Sequence, residues 1–150
     1  MTKIAVELIR KLREETGAPV LRVKKVLEEV SGNAGKAKKI LTEEGFAKVA
    51  KREGRETGQG KVFAYVHHNS KVASVVELLS ETDFVARNEL FEVLGKDIAM
   101  QVASMGDQDL LHQEFIKDSS KKISDLVKEV IVKTGENIRL GRVYRVELGK

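Results

Sequence analysis

Cysteine is absent from the 150 residues, which excludes disulfides, thiolate metal sites and cysteine nucleophiles and suits a reducing compartment. No stretch approaches the roughly 18 to 20 consecutive apolar residues of a membrane span, and the N-terminus lacks the charged, apolar and small-residue succession of a signal peptide. The expectation is a cytoplasmic protein without membrane contact. Aromatic residues make up only 5%, and none is interleaved with a basic run in the way that stacks bases. The net charge is +4, but the 27 basic and 23 acidic residues are interspersed, so direct nucleic-acid binding is not expected. A glycine-rich phosphate loop, a GxSxG elbow and a convincing carboxylate pair are also missing, so neither an enzyme nor a cofactor is expected. His67-His68 suggests no metal, because adjacent strand residues point to opposite faces and no acidic cluster completes a coordination shell.

What is present is a 41% hydrophobic content, enough for one full domain or for a small module joined to a compact core. From Lys3 to Glu15, Ile4, Ala5, Leu8, Ile9 and Leu12 lay an apolar stripe along a helix, which Thr16-Gly17 ends. A second helix opens at Pro19, whose fixed φ suits a first helical position, and runs to about Val30 with Val20, Val23, Val26, Leu27 and Val30 inward. A third, from about Ala34 to Glu44, turns Ala37, Ile40 and Leu41 toward the others, with Gly45 as its left-handed C-terminal residue. This reading gives a three-helix domain over 1–46, near the lower size limit for independent stability. A charged, glycine-rich linker follows over 47–60, and a core over 61–150.

In the core the period changes to two. Val62, Ala64 and Val66 alternate with Phe63, Tyr65 and His67, His68-Asn69-Ser70 supplies turn residues, and Lys71 to Ser80 resumes as a strand, which together predict a β-hairpin. A third strand is expected at Ile138 to Leu148, with Ile138, Leu140, Tyr144, Val146 and Leu148 on one face. Between them lie two helical segments. The first is capped by Asn88 and carries Leu90, Phe91, Leu94, Ile98, Val102 and Met105 on its apolar side; a short turn capped by Asp107 precedes the second, which ends near Gly135. The fold class is α+β, a three-stranded antiparallel sheet with helices on one face. Phe63, Tyr65, Val75 and Val143 are the apolar positions expected on the other face.

Between the second strand and the Asn88 helix stands Glu81-Thr82-Asp83-Phe84-Val85-Ala86-Arg87, odd chemistry for a connector. An aromatic beside a carboxylate at such a junction is either presented outward as a probe or folded over the end of the core, with Thr82 or Asp83 capping a helix. This segment resembles the central signature of the elongation factor Ts family. Leu12-Arg13-Glu14-Glu15-Thr16-Gly17-Ala18 with Lys24-Lys25 resembles the family's N-terminal signature, and Gly135-Glu136-Asn137-Ile138 its C-terminal one. The resemblance covers nearly the whole chain and implies a ubiquitin-associated-like N-terminal domain.

It also implies a function: guanine-nucleotide exchange on elongation factor Tu, in its nucleotide-free and GDP-bound forms. Thr82, Asp83, Phe84 and Val85 would engage the nucleotide-binding domain, with Phe84 wedged near the Mg²⁺ and phosphate site. Arg13, Val20, Leu21 and Lys24 would dock the N-terminal domain on the same GTPase. The chain departs from the family pattern at Leu79-Ser80, where Asn-Cys is frequent, and at Pro19-Val20-Leu21, where Gly-Met-Met is usual. It is also short: Met105 to Asp118 is a brief bridge where fuller members carry a second core subdomain. By the same resemblance short members pair as homodimers through their sheets. The competing reading is a binding module whose helices recognise ubiquitin-like or nucleic-acid ligands while the core dimerises.

Overall fold

A computed structural model describes residues 4–150, so the helix start expected at Lys3 lies outside the described residues. The chain forms two compact units, one of residues 4–54 with 131–135, the other of residues 55–130 with 136–150.

The first unit is helical. Helix α1 (Val6–Thr16), α2 (Val20–Glu29) and α3 (Ala34–Val49) close around Leu12, Val23, Val26, Leu27, Ala37 and Leu41, all almost fully buried. Each such Leu or Val side chain contributes roughly 1.5–3 kcal/mol of burial, which is what lets helices this short persist. Gly17 ends α1 in the left-handed region, at φ 71°, and its N–H donates to the Arg13 carbonyl at 2.8 Å. Pro19 stands one position outside α2, and its carbonyl accepts the first intrahelical bond from Val23. The expected stop at Gly45 does not occur. Helix α3 runs on to Val49, which is buried, and Gly45 stays inside it because its missing Cβ leaves room for the Val132 methyls, 3.1 Å from where that atom would lie. A 3₁₀ turn over Ala50–Arg52 follows, so helix and 3₁₀ turn occupy the first part of the expected linker.

In the second unit β1 (Gln59–Val66), β2 (Val72–Ser80) and β5 (Ile138–Glu147) form an antiparallel sheet in the order β1-β2-β5. Strand β1 thus begins inside the expected linker. Helix α5 (Glu89–Met105) packs against β1 and β2, with Phe91, Leu94, Ile98 and Val102 buried against Phe63, Val76 and Leu78. Its ends differ from the expected stripe: Leu90 is 38% and Met105 59% exposed, because a 3.6-residue period carries the terminal positions off the buried face. The bridge holds the expected short turn, with Asp109 rather than Asp107 at its cap position, and a hairpin that composition did not signal. A 3₁₀ turn at Leu110–His112 leads into a small hairpin of β3 (Glu114–Phe115) and β4 (Asp118–Lys122), followed by α6 (Ile123–Thr134). Buried Gln101 holds that bridge, donating to Gln113 and to the Glu114 carbonyl and accepting from the Ile116 N–H.

The faces of the sheet differ from expectation in a specific way. Phe63 is buried on the helix-covered face, and Tyr65 and Val143 share its parity there. Strand β5 carries a bulge: Val76 pairs with Val143, yet Leu78 pairs with Leu140, so Gly141 and Arg142 together oppose Glu77. One extra residue reverses the parity. Ile138 and Leu140 therefore face the helices, while Tyr144, Val146 and Leu148 emerge on the open face.

Candidate functional site

The segment after β2 folds as one helical turn, α4 (Asp83–Ala86). Thr82 is its N-cap, in extended conformation, and its Oγ1 accepts from the Val85 N–H at 3.3 Å. Val85 and Ala86 are buried, at 8% and 1% exposure. With two consecutive residues fixed inward, the 100° step of the helix throws the preceding side chain out, and Phe84 is 84% exposed. Both sequence readings hold in part: the threonine caps and the valine covers the core, while the aromatic is presented to solvent.

Asp83 pairs with Arg87 one turn on. Both are more than half exposed, so this pair is worth at most a few tenths of a kcal/mol and leaves the carboxylate available. Thr82 is tied from behind by Glu136, whose carboxylate accepts from the Thr82 N–H at 2.9 Å and from its hydroxyl at 2.6 Å. In return Glu81 accepts from the Asn137 N–H at 2.7 Å, with Arg55 beside it at 3.5 Å. Asn137, itself buried, donates through Nδ2 to the Arg55 carbonyl at 3.0 Å.

The other residues singled out lie in the helical unit. Arg13 on α1 and Val20 on α2 line one shallow groove with Val6, Ile9, Arg10 and Glu14. Leu21, 81% exposed, and the exposed Lys24 lie on α2 outside that groove. Arg22, on the same helix, is committed to Glu44: the guanidinium hydrogen-bonds that carboxylate and holds it below the usual glutamate range. Among the described residues no cluster of three or more His, Cys, Asp or Glu could hold a metal ion, and no helix is long and apolar enough to cross a membrane.

The family model described as Elongation factor TS matches residues 81–150, opening at the Thr82 turn. Proteins named Elongation factor Ts align over nearly the whole chain. The one from Leptospira biflexa is 41% identical, covering 97% of this chain and 98% of its own length. Those from Thermosipho melanesiensis and Fervidobacterium nodosum are 34% and 33% identical, each covering its full length and 98% or 99% of this chain. The chain belongs to the elongation factor Ts family. The Leptospira alignment runs over 194 positions against 150 residues here, so at least 44 positions of that relative have no counterpart in this chain. Within the family match, Glu136 and Glu81 are the residues whose part sequence reasoning missed. Glu136 belonged to a quoted motif, but 54 residues separate it from Thr82, and only strand pairing brings the two together.

Proposed function

We propose that the chain is a guanine-nucleotide exchange factor for elongation factor Tu, acting in the cytoplasm during translation elongation. The observation that supports this most directly is Phe84, a large apolar side chain held almost fully in solvent on a turn anchored at both ends. An exposed aromatic has no part in stabilising its own unit, but it suits insertion into a partner's pocket. Elongation factor Ts membership supplies the partner. In this reading Phe84 enters near the Mg²⁺ and phosphate site, Asp83 is its polar neighbour, and Thr82 and Val85 hold the turn. Arg13, Val20, Leu21 and Lys24 dock the helical domain on the same GTPase. The core also pairs with a second copy.

Exchange of this kind needs no acid, base or nucleophile. A factor that binds best to the nucleotide-free GTPase weakens GDP binding by some ratio, and GDP weakens the factor by the same ratio. Incoming nucleotide then expels it. The test is stopped-flow release of a fluorescent GDP analogue from elongation factor Tu. Truncation of a buried interface aromatic costs about 2 kcal/mol or more, so Phe84→Ala should slow release about 30-fold. Equal rates for the two proteins would refute the wedge. No acceleration by the wild-type protein would instead favour a binding module.

A further inference from the structure

We propose that Glu136 is the positioning residue of the Phe84 turn, an inference that rests on the exchange reading above. Strands β2 and β5 pair antiparallel, and their last ladder partners at this end are Ser80 and Ile138. Continued two residues further, the same register places Thr82 opposite Glu136 and Glu81 opposite Asn137. There the two N–H groups donate to carboxylates: Glu136 takes the Thr82 N–H and Glu81 takes the Asn137 N–H. The two strands are thus closed by a reciprocal pair of side-chain clamps.

Of the two clamps, the one from Glu136 reaches the turn, at its N-cap residue Thr82, whose carbonyl also accepts from the Ser80 hydroxyl at 2.9 Å. A four-residue helix cannot hold its own conformation, since one turn meets the nucleation cost without propagation. The Thr82 cap is a long bond at 3.3 Å. Glu136 adds two charge-assisted bonds from one carboxylate, to the N–H and to the hydroxyl of the same residue, and such bonds are shorter and roughly twice as strong as neutral ones. Two bonds to one residue fix its rotation as well as its place. Because Thr82 is the N-cap, its rotation sets the axis of α4 and with it the direction in which Phe84 projects.

The chain contains no tryptophan, so Phe84→Trp provides a single fluorophore at the tip. In that background Glu136→Ala should lower the fluorescence anisotropy of the introduced indole by freeing the turn, while Glu136→Gln, which keeps the acceptor for the Thr82 N–H, should restore most of it. In exchange assays Glu136→Ala should lower the release rate at saturating factor on the order of tenfold, with the factor concentration at half-maximum unchanged. A general loss of structure would shift both. Should Glu136→Ala fold poorly, Glu136→Asp keeps the charge, withdraws the carboxylate by one methylene and leaves the Thr82 cap in place, and it should reproduce the anisotropy loss in part. Unchanged anisotropy in folded Glu136→Ala, or in Glu136→Asp, would overturn the assignment. So would Phe84→Ala slowing exchange while Glu136→Ala does not. If Phe84→Ala leaves exchange intact, the wedge fails, and the indole anisotropy still decides whether Glu136 sets the turn.

Discussion

Phe63 lies across Gly95, and the fit between them sets how closely α5 approaches the sheet. A Cβ built on Gly95 would stand 2.2 Å from the Phe63 ring, far inside contact distance. That ring is 6% exposed and meets Phe91 at 6.0 Å between centroids, so it has nowhere to move. Gly95→Ala gains about 1 kcal/mol of helix propensity, whereas forcing extra volume into a packed core costs about 1–3 kcal/mol. The overlap wins here because it falls on a rigid ring rather than a flexible chain end. Urea unfolding should show Gly95→Ala less stable by about 1–2 kcal/mol, and an equal or raised midpoint would mean that the helix shifts freely. Sequence shows Phe91, Leu94 and Ile98 as a stripe, but not that Gly95 marks the closest approach; on pattern alone it is a weak helical position. Phe63 was assigned to the wrong face for a related reason. Every position from Val62 to Val66 is apolar or aromatic, so hydropathy does not choose a face, and the choice falls to the gap left by a residue 32 positions later.

At the level of the element, the bulge in β5 decides which side chains the open face of the sheet displays. Glu77 fills the space above Gly141, where an added Cβ would lie 2.3 Å from its Oε1. Its carboxylate accepts from the Arg142 N–H at 3.2 Å and from the Arg142 guanidinium at 3.1 Å. The Arg142 side chain, then its backbone N–H, hold the Glu77 carboxyl below the usual glutamate range. A carboxyl depressed in the folded state stabilises above its unfolded pKa of about 4.3, and that contribution is lost as pH falls through the lower folded value. Glu77→Gln keeps an acceptor for the N–H and removes the charge. It should therefore lower the urea midpoint at pH 6, with the deficit closing toward pH 3; a deficit of equal size at both pH values would mean that charge has no part in holding the bulge. The hairpin and the existence of β5 were legible because alternation and turn residues agree. The parity change was not, since strict alternation is the very assumption a bulge breaks. Gly141 beside Arg142 was its sole trace. The β3–β4 hairpin escaped for another reason: its strands are two and five residues long, and buried Phe115 is their one apolar side chain, so there is no alternation to read, and Gln101 holds the bridge from the side.

For the molecule as a whole, the parity change leaves exposed apolar side chains on the sheet face opposite α5. Val66, Ala73 and Val146 stand in one row across β1, β2 and β5, and Ala64, Val75 and Tyr144 in the next. Val66, Tyr144 and Val146 are each more than half exposed. An antiparallel sheet can face water on one side, but that side is then normally polar along its alternation, and contiguous apolar surface of this kind marks an interaction site. The second copy proposed above would cover it, since two such faces can stack at sheet-to-sheet distance with their side chains interdigitating. A two-fold axis through the patch also brings every substitution in twice. Tyr144→Glu would then set two carboxylates into one apolar interface, where each is desolvated and each repels the other. The side chain is 58% exposed in the single chain, so the substitution leaves the fold of each copy alone. Sedimentation equilibrium should show the wild-type protein as a dimer and Tyr144→Glu as a monomer, with the indole anisotropy of a Phe84→Trp reporter still signalling an ordered turn. Dimers that survive Tyr144→Glu would place the contact elsewhere, and a wild-type monomer at high concentration would leave the face to a different partner. Neither result touches the exchange reading, because Phe84 lies on a turn that the open face does not include.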